Sequence, residues 1–213
     1  MTTSPADRSL RPDPSHWVRR WSHLVPAEAT VLDVACGSGR HVHWFTARGG
    51  RVTGVDRDER AVAPLREIAE IVVADIESGP WPFTGRRFDL VVVTHYLWRE
   101  RLANIVASVA PGGFLLYETF AVGHETVGKP SNPHFLLRRG ELLEAVTGQE
   151  VVAFEDGFES EPYRYVQRIV ATRPMAPVPD PVVGVAGTAA RRIPLRPTGF
   201  VPRLKSGNSE DLP

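Results

Sequence analysis

The residues with the clearest chemical meaning form a glycine-rich turn, Val31 to Arg40, with the sequence VLDVACGSGR. A short apolar run stops at two closely spaced glycines and a helical pattern follows, which predicts a buried parallel strand, a tight turn and a helix start. Glycine lets a ligand approach the backbone closely, and unpaired N–H groups at a helix start attract an anion. The turn therefore indicates a nucleotide-like ligand, although a plain strand–helix turn has the same pattern.

Two carboxylates follow the next two predicted strands. Asp56 ends the run RVTGVD about twenty residues after the glycines, where a carboxylate can accept hydrogen bonds from both ribose hydroxyl groups of an adenosine. Asp75 follows the strand Ile71 to Ala74, close to where an adenine ring would lie, and Ile76 would cover the face of that ring. A helix cap is the alternative for Asp56, and an Asx turn is the alternative for Asp75.

Three polar residues follow the fourth strand, FDLVVV, the most apolar of the chain. Thr94, His95 and Tyr96 lie at its carboxyl end, and Glu118 ends the fifth strand at the same edge, where open α/β sheets bind ligands. His95 and Glu118 are candidate general bases, and Tyr96 could line a cation-friendly mouth. A packing role is the alternative for each of these side chains.

The composition predicts one globular domain with tails. The chain has 213 residues, of which 42% are hydrophobic, and its 25 basic residues balance its 25 acidic residues. The balance argues against a nucleic-acid binder that depends on phosphate contacts. The single cysteine, Cys36, suits a reducing compartment. Because no long apolar segment or signal-peptide core is found, we expect a cytoplasmic protein without membrane association. The spacing of the histidines predicts no metal site.

The domain boundaries follow from changes in composition. Residues 1–14 are predicted to be a flexible arm, residues 15–173 the folded domain, and residues 174–213 a proline-rich, disordered tail. Ser15 is a predicted N-cap for a helix with an apolar tryptophan face, which either packs on the domain or closes over the ligand as a lid. Four further helices are predicted at Gly39–Ala47, Glu59–Ala69, Trp98–Ala110 and Leu136–Val146.

Two strands close the predicted domain, at Glu150–Phe154 and Tyr163–Ala171. The acidic loop between them is too short for a helix, which indicates an antiparallel pair at the end of the sheet. The alternation of side chains along Tyr163–Ala171 favours an edge strand with one wetter face. The polar stretch from Thr119 to Pro133 is long enough to indicate a functional or disordered loop.

Taken in order, the segments VLDVACGSGR, VTGVD, VVADI, FDLVVV and APGGFLLYETF resemble the class I S-adenosylmethionine-dependent methyltransferases. The resemblance implies a Rossmann-like α/β fold with a doubly wound, mostly parallel seven-stranded sheet whose last strand is antiparallel. The segments CGSGRH and FLLRRGEL are similar to those of small bacterial methyltransferases of the tellurite-resistance type, which act on small, soft nucleophiles.

The resemblance also implies a cofactor and a reaction. S-Adenosyl-L-methionine would donate a methyl group by in-line displacement to a small-molecule nucleophile, which could be a thiol, a chalcogen, an amine or a hydroxyl group. Arg20 or Arg40 would pair with the carboxylate of the cofactor. The other residues that would contact the cofactor are Asp33, Ala35, Gly37, Gly39, Asp56, Asp75, Ile76 and Thr94.

Three other interpretations stay open. A macromolecular acceptor, RNA or protein, is disfavoured by the zero net charge and the lack of an appended recognition domain. A non-catalytic S-adenosylmethionine-binding subunit is disfavoured by the polar residues of the crevice, and a nicotinamide-binding domain by the turn GSGRHV, which lacks the third glycine of the dinucleotide fingerprint. The sequence makes no prediction of the oligomeric state.

Overall fold

The computed structural model describes residues 13–175 and 192–196. Nearly all of the predicted arm and tail lie outside the described residues, so the domain boundaries stay predictions. The strands are β1 (Thr30–Val34), β2 (Arg51–Asp56), β3 (Glu70–Val73), β4 (Phe88–Thr94), β5 (Val109–Phe120), β6 (Glu150–Ser160) and β7 (Tyr163–Thr172). The α-helices are α1 (His16–Trp21), α2 (Arg40–Thr46), α3 (Glu59–Val62), α4 (Leu102–Ala107) and α5 (Glu141–Ala145). Short 3-10 helices cover Ser22–Leu24, Ala63–Glu67, Arg99–Arg101, His124–Thr126 and Pro133–Phe135.

The strands form one seven-stranded sheet in the order β3-β2-β1-β4-β5-β7-β6. Strands β1 to β5 pair in parallel, and β7 runs antiparallel to both β5 and β6. The predicted class I fold is therefore confirmed, including its antiparallel last strand. The strand order reverses between β1 and β4, and open sheets of this kind bind ligands outside the strand ends at such a switch point.

The central strands are apolar because both faces of the sheet are covered. One face carries α1, α2 and α3, whose buried members include Trp17, Val42 and Val62. The opposite face carries α4 and α5 through Ile105 and Leu142. Burial of these side chains on both sides fixes the positions of the strand ends, where the candidate site lies.

Helix α1 begins at the predicted N-cap. The hydroxyl oxygen of Ser15 accepts hydrogen bonds from the backbone N–H groups of Trp17 and Val18. Trp17 and Trp21 are buried and meet edge to face with their ring centroids 5.7 Å apart, and the indole N–H of Trp17 donates to the carbonyl oxygen of Ile169. The helix therefore packs on the sheet, which favours the packing interpretation over a lid.

Two predicted helices are shorter in the structure because a residue within each interrupts the hydrogen-bond pattern. Helix α3 ends at Val62 and continues as a 3-10 helix that has Pro64 in its first turn, since proline has no N–H to donate. Helix α5 begins only after Gly140, which has a left-handed φ of +71°. The preceding Leu137 instead makes an isolated bridge to Ala121.

The predicted helix Trp98–Ala110 and the fifth strand also differ from the structure. A 3-10 turn covers Arg99–Arg101, helix α4 ends at Ala107, and β5 already begins at Val109. Strand β5 also continues to Phe120, so it includes the start of the predicted polar loop.

The prediction of an edge position for the last strand was wrong. Strand β7 lies between β5 and β6, and β6 is the edge strand. The polar side chains of β7 are buried: Gln167 is 0% exposed and its amide oxygen accepts from the N–H of Leu142, while Arg168 is 6% exposed and pairs with carboxylates. The polar alternation thus reflects buried hydrogen bonds, and period-two alternation alone does not distinguish these from contact with solvent.

Candidate active site

The glycine-rich turn at the end of β1 is held in an unusual backbone conformation. Ala35, Gly37 and Gly39 have φ values of +53°, +52° and +80°. A Cβ atom on Gly39 would lie 2.5 Å from the side chain of Leu65, so this position requires glycine for space as well as for φ. At Gly37, by contrast, a Cβ atom would meet no protein atom within 4 Å. The turn therefore leaves open space on one side of its backbone.

Asp56 is oriented by the turn that it faces. Its Oδ2 accepts a hydrogen bond of 2.8 Å from the N–H of Gly37, and its Oδ1 accepts one of 3.0 Å from the N–H of Asp58. Each carboxylate oxygen keeps a lone pair for another donor. The structure thus presents Asp56 at the end of β2 as a fixed, half-buried acceptor beside the turn.

A cavity of about 140 Å³ adjoins Asp56 at the ends of β1, β2, β3 and β4. Asp75 lines it, and the Asx turn is present as well: Asp75 accepts from the N–H of Glu77 and from the hydroxyl of Ser78. The hydrogen bond from Ser78 contributes most to lowering the pKa of Asp75, which keeps its carboxylate charged. The cavity is lined by Ala35, Asp56, Arg57, Ala74, Asp75, Ile76, Glu77 and Tyr96.

Among the buried polar atoms without a hydrogen-bond partner in the described residues, two lie near the glycine-rich turn and the cavity. They are Oδ2 of Asp33, at the end of β1, and the phenol oxygen of Tyr96, in the cavity. Burial raises the pKa of Tyr96, so its phenol is a neutral donor. A buried polar group without a partner is costly. Both atoms are therefore candidates to contact a polar ligand, and the structure places Tyr96 on the cavity side of the crevice.

The other side of the crevice holds Arg40, Thr94 and His95. The Nη2 of Arg40 donates to the hydroxyl oxygen of Thr94 at 3.1 Å and lies 3.4 Å from Nδ1 of His95. His95 has a left-handed φ of +56°, which is uncommon outside glycine and is found most often at functional positions. His95 is exposed overall, but partial desolvation of its ring between neighbouring side chains, together with the charges of Arg40 and Arg164, lowers the pKa of His95 to about 4, so the imidazole is neutral at pH 7.

Glu118 lies next to Arg40, Thr94 and His95, but its carboxylate already forms ion pairs. It is 0% exposed, and its Oε2 lies 2.9 Å from Nε of Arg168 and 3.5 Å from Nη2 of Arg164. Its Oε1 accepts a 2.9 Å hydrogen bond from the hydroxyl of Ser15. These contacts favour a structural ion pair over the predicted role as a general base, because both carboxylate oxygens are already engaged by Ser15, Arg164 and Arg168.

Sequence reasoning missed Arg164 and Arg168, which β7 brings to the crevice from the far end of the chain. Register explains their position: Thr94 pairs with Glu118, and Glu118 pairs with Arg168. The sequence signal was the pair of arginines in a strand that is otherwise suited to burial. Arg20 pairs instead with Glu155 of β6 at 3.1 Å, so Arg40 is the one of the two proposed carboxylate partners that lies in the crevice.

The described residues contain neither a metal-ligand cluster nor a membrane-spanning helix. Within residues 13–175 and 192–196, no group of three or more histidine, cysteine, aspartate or glutamate side chains is arranged to hold a metal ion. None of the helices in the same part of the chain has the length and apolar character that crossing a membrane requires.

Comparison with known proteins agrees with this geometry. Residues 31–113 match the family described as a methyltransferase domain. The chain is 29% identical over 139 residues to a tRNA U34 carboxymethyltransferase of Pseudoalteromonas translucida, a match that covers 57% of this chain and 42% of the relative. It is 32% identical over 116 residues to a dTDP-3-amino-3,4,6-trideoxy-alpha-D-glucopyranose N,N-dimethyltransferase of Streptomyces venezuelae, covering 46% and 48%. The chain spans less than half the length of each of these relatives.

Solved structures show the same fold. TehB of Haemophilus influenzae superposes with a TM-score of 0.55 at 22% identity, covering 68% of this chain and 58% of that one. A TehB-like S-adenosylmethionine-dependent methyltransferase of Corynebacterium glutamicum gives a TM-score of 0.56 at 23% identity, covering 78% and 91%.

Residues 31–113 thus match a methyltransferase domain, and the sheet has the class I S-adenosylmethionine-dependent methyltransferase fold that the sequence predicted. In fold, the chain is similar to TehB and to a TehB-like methyltransferase. The cofactor prediction is confirmed at the level of the class, since S-adenosylmethionine is its methyl donor. The individual site residues stay predictions.

Proposed function

We propose that this protein transfers a methyl group from S-adenosylmethionine to a small-molecule nucleophile. The observation that most directly supports this proposal is a two-sided crevice at the point between β1 and β4 where the strand order reverses. On one side, Asp56 and Asp75 share a cavity with the unpartnered phenol of Tyr96. On the other side, Thr94 and His95 meet Arg40. A site of this form can hold a cofactor and an acceptor next to each other across the end of β4.

The residues present fit the cofactor. Asp56 is fixed to accept from the ribose hydroxyls, and Asp75 and Ile76 lie where a planar base can bind in the cavity. Gly37 and Gly39 keep side chains away from the turn, and Asp33 offers a buried acceptor oxygen without a partner. The amino group of the methionine part is a donor of the kind that Asp33 and the backbone at Thr94 can bind.

Methyl transfer requires little of the protein beyond positioning the methyl donor and the acceptor. When bound, S-adenosylmethionine would supply a methyl group on a sulfonium leaving group, so that the nucleophile's electron pair forms the new bond to carbon while the carbon–sulfur bond breaks and its electron pair stays on sulfur. A thiolate, chalcogen or amine needs no strong base for this step. The neutral imidazole of His95 and the hydroxyl of Thr94 can orient an acceptor, whereas Glu118 stays in its ion pairs.

A small acceptor is favoured over RNA by the state of the arginines. Binding of a nucleic-acid backbone requires several cationic side chains that can contact phosphates. In the described part of the chain, eight of the nineteen arginines are already paired with carboxylates. These pairs are Arg20–Glu155, Arg57–Glu77, Arg66–Glu59, Arg86–Glu70, Arg99–Glu141, Arg138–Glu144, Arg164–Glu159 and Arg168–Glu118.

The acceptor class is not taken from the relatives, because one is named for tRNA and another for an amino sugar nucleotide. Two side chains on the acceptor side are recessed, since Thr94 is 9% exposed and the Arg164 side chain is 12% exposed, while His95 is exposed at the mouth of the site. A recessed site suits a small molecule that can be surrounded, and it would admit a large surface only through an extruded group.

The cofactor assignment is tested by calorimetric titration of S-adenosylhomocysteine into wild type and Asp56→Asn. Loss of charge-assisted hydrogen bonds to the ribose is expected to weaken binding about tenfold to a hundredfold. Asp58→Asn is the matched control, because Asp58 caps α3 two residues further along. Equal affinities for wild type and Asp56→Asn would remove Asp56 from the site, and no binding to folded wild type would contradict the proposed function.

A further inference from the structure

The imidazole of His95 lies between two guanidinium groups. Nδ1 is 3.4 Å from Nη2 of Arg40, and Nε2 is 3.2 Å from Nη1 of Arg164. A neutral imidazole has one lone pair and one N–H group, so it can accept from only one of these two donors. The other ring nitrogen therefore directs its own N–H at a guanidinium N–H. At one of the two ring nitrogens of His95, two N–H donors therefore face each other with no acceptor between them.

The ring of His95 is held in this position from behind. Its backbone is left-handed at the end of β4, and its ring stacks on Phe120 with the centroids 5.0 Å apart. Phe120 stacks in turn on the buried ring of His124 at 4.3 Å. The ring plane is therefore fixed by packing, so rotation of the imidazole away from one arginine would break the stack.

The charges of the contacting side chains leave an excess of one positive unit. Arg164 donates to Glu159 at 2.7 Å and contacts Glu118. Arg168 pairs with the same two carboxylates and with Glu155, which also pairs with Arg20. These three arginines and three glutamates cancel. Arg40 is the additional cation, and within residues 13–175 and 192–196 no carboxylate lies at ion-pair distance from it. The group as a whole therefore suits one monoanion.

From the geometry we infer that Arg40, His95 and Arg164 bind a carboxylate of the methyl acceptor, so that the acceptor is a small organic acid. The inference rests on the proposed function and names the substrate class. A carboxylate presents two planar oxygen atoms, which can accept from guanidinium groups and from the imidazole N–H together. Its single charge matches the excess, whereas a phosphate dianion would exceed it.

The same site gives Arg40 a role that differs from the sequence prediction. The guanidinium of Arg40 contacts both the hydroxyl of Thr94, whose backbone is proposed to face the cofactor, and the ring of His95 on the acceptor side. The two roles separate in an experiment, because one predicts that loss of Arg40 weakens cofactor binding and the other that it weakens acceptor binding.

The test is titration of benzoate into the full chain, with and without saturating S-adenosylhomocysteine, followed by calorimetry and by NMR of the histidine rings. The cofactor product fills its own carboxylate site, so benzoate then reports on the acceptor side. Saturable binding of benzoate with a shift of the His95 resonances is expected. The neutral isostere benzamide should bind at least tenfold more weakly. Arg164→Gln should weaken benzoate at least tenfold and leave S-adenosylhomocysteine within twofold.

Three further variants separate a loss of the carboxylate site from a loss of folding or of cofactor binding. His95→Asn removes the ring, tolerates a left-handed backbone and leaves the arginine–glutamate pairs in place, so it should weaken benzoate even where Arg164→Gln disturbs folding. Arg66→Gln removes an exposed arginine of a surface ion pair outside the crevice and should change neither ligand. Arg40→Gln is expected to weaken benzoate, and an effect on S-adenosylhomocysteine alone would overturn its place in the site.

Three results would overturn the inference: no saturable benzoate binding, equal affinity for benzoate and benzamide, or tighter binding of inorganic phosphate than of benzoate. If S-adenosylhomocysteine binds wild type while any of these occurs, only the carboxylate site fails. If S-adenosylhomocysteine does not bind to folded protein, the proposed function fails by itself, and the titration without cofactor product still decides whether the anion site exists.

Discussion

At the scale of single residues, the structure gives His95 an electrostatic environment that can be measured directly. Partial desolvation of its ring and the neighbouring charges of Arg40 and Arg164 lower its pKa to about 4 from the ordinary value of 6.5. Removing one cation favours the protonated ring, so Arg164→Gln is expected to raise the midpoint of the His95 NMR titration toward 6.5. Arg66→Gln is the control. An unchanged midpoint in Arg164→Gln would show that Arg164 is not next to the ring in solution.

Gly37 offers a second measurement at this scale, because it separates ligand space from backbone strain. Gly37 and Gly85 both have positive φ, +52° and +81°, and a Cβ atom at either would meet no protein atom within 4 Å. Alanine at either position should therefore cost similar stability, about 1 kcal/mol. Gly37→Ala is expected to weaken S-adenosylhomocysteine at least tenfold by calorimetry.

Gly85→Ala should leave that affinity unchanged, since Gly85 lies in the loop before β4 and outside the crevice. If the two variants bind S-adenosylhomocysteine equally well, the open space beside Gly37 is not where the cofactor lies. A much larger loss of stability in Gly37→Ala than in Gly85→Ala would instead assign Gly37 a structural role in the turn.

At the scale of elements, the start of α1 is joined to β5 through one hydroxyl group. Ser15 caps the helix and also donates to the buried Glu118. Ser15→Ala is expected to lower the free energy of unfolding by about 2–4 kcal/mol, since it removes a cap and leaves a buried carboxylate oxygen with one partner fewer. The measurement is urea denaturation, followed by circular dichroism.

Asp58→Ala gives the matched comparison, because Asp58 caps α3 with two similar hydrogen bonds but is exposed. Its expected cost is about 1 kcal/mol. Equal losses in the two variants would mean that the bond between Ser15 and Glu118 adds nothing to the stability of the domain.

Elements also show what the sequence could and could not predict. Strand β2 was predicted with its observed bounds, Arg51–Asp56. Its limits depend on local signals alone, because the glycines before it stop the preceding helix and an acidic residue ends the short apolar run. The helix at 59–69 was predicted too long because its apolar spacing continues past Pro64, which breaks the hydrogen bonds. Local patterns therefore gave the order and type of elements better than their ends.

The candidate site divides in the same way. Ala35, Asp56, Asp75 and Ile76 follow strands that are close in sequence, and they do share one cavity. The contact between His95 and Arg164 joins residues 69 positions apart and depends on β7 inserting beside β5, which no local pattern specifies. The assignment of β7 to the edge failed for the same reason, because its arginines are buried by partners that are distant in sequence.

At the scale of the whole molecule, basic and acidic residues are equal in number, 25 of each, and eight of the nineteen described arginines are held in ion pairs. The wild-type protein is therefore expected to bind bulk tRNA no more tightly than about 100 µM at physiological salt, the weak end of non-specific binding. Fluorescence anisotropy of labelled tRNA across a salt series measures this. A dissociation constant near 1 µM with a steep salt dependence would contradict the small-molecule proposal.

The double variant Glu59→Gln, Glu144→Gln tests the reason for that weakness. Both glutamates are exposed partners in surface pairs, with Arg66 and Arg138, so their removal should cost little stability while it releases Arg66 and leaves Arg138 with Glu141 as its one carboxylate partner among the described residues. We expect measurably tighter tRNA binding that weakens as salt rises, because released guanidinium groups can displace counterions from phosphates. If the variant binds tRNA as weakly as wild type, carboxylate pairing is not what keeps the arginines from the nucleic acid.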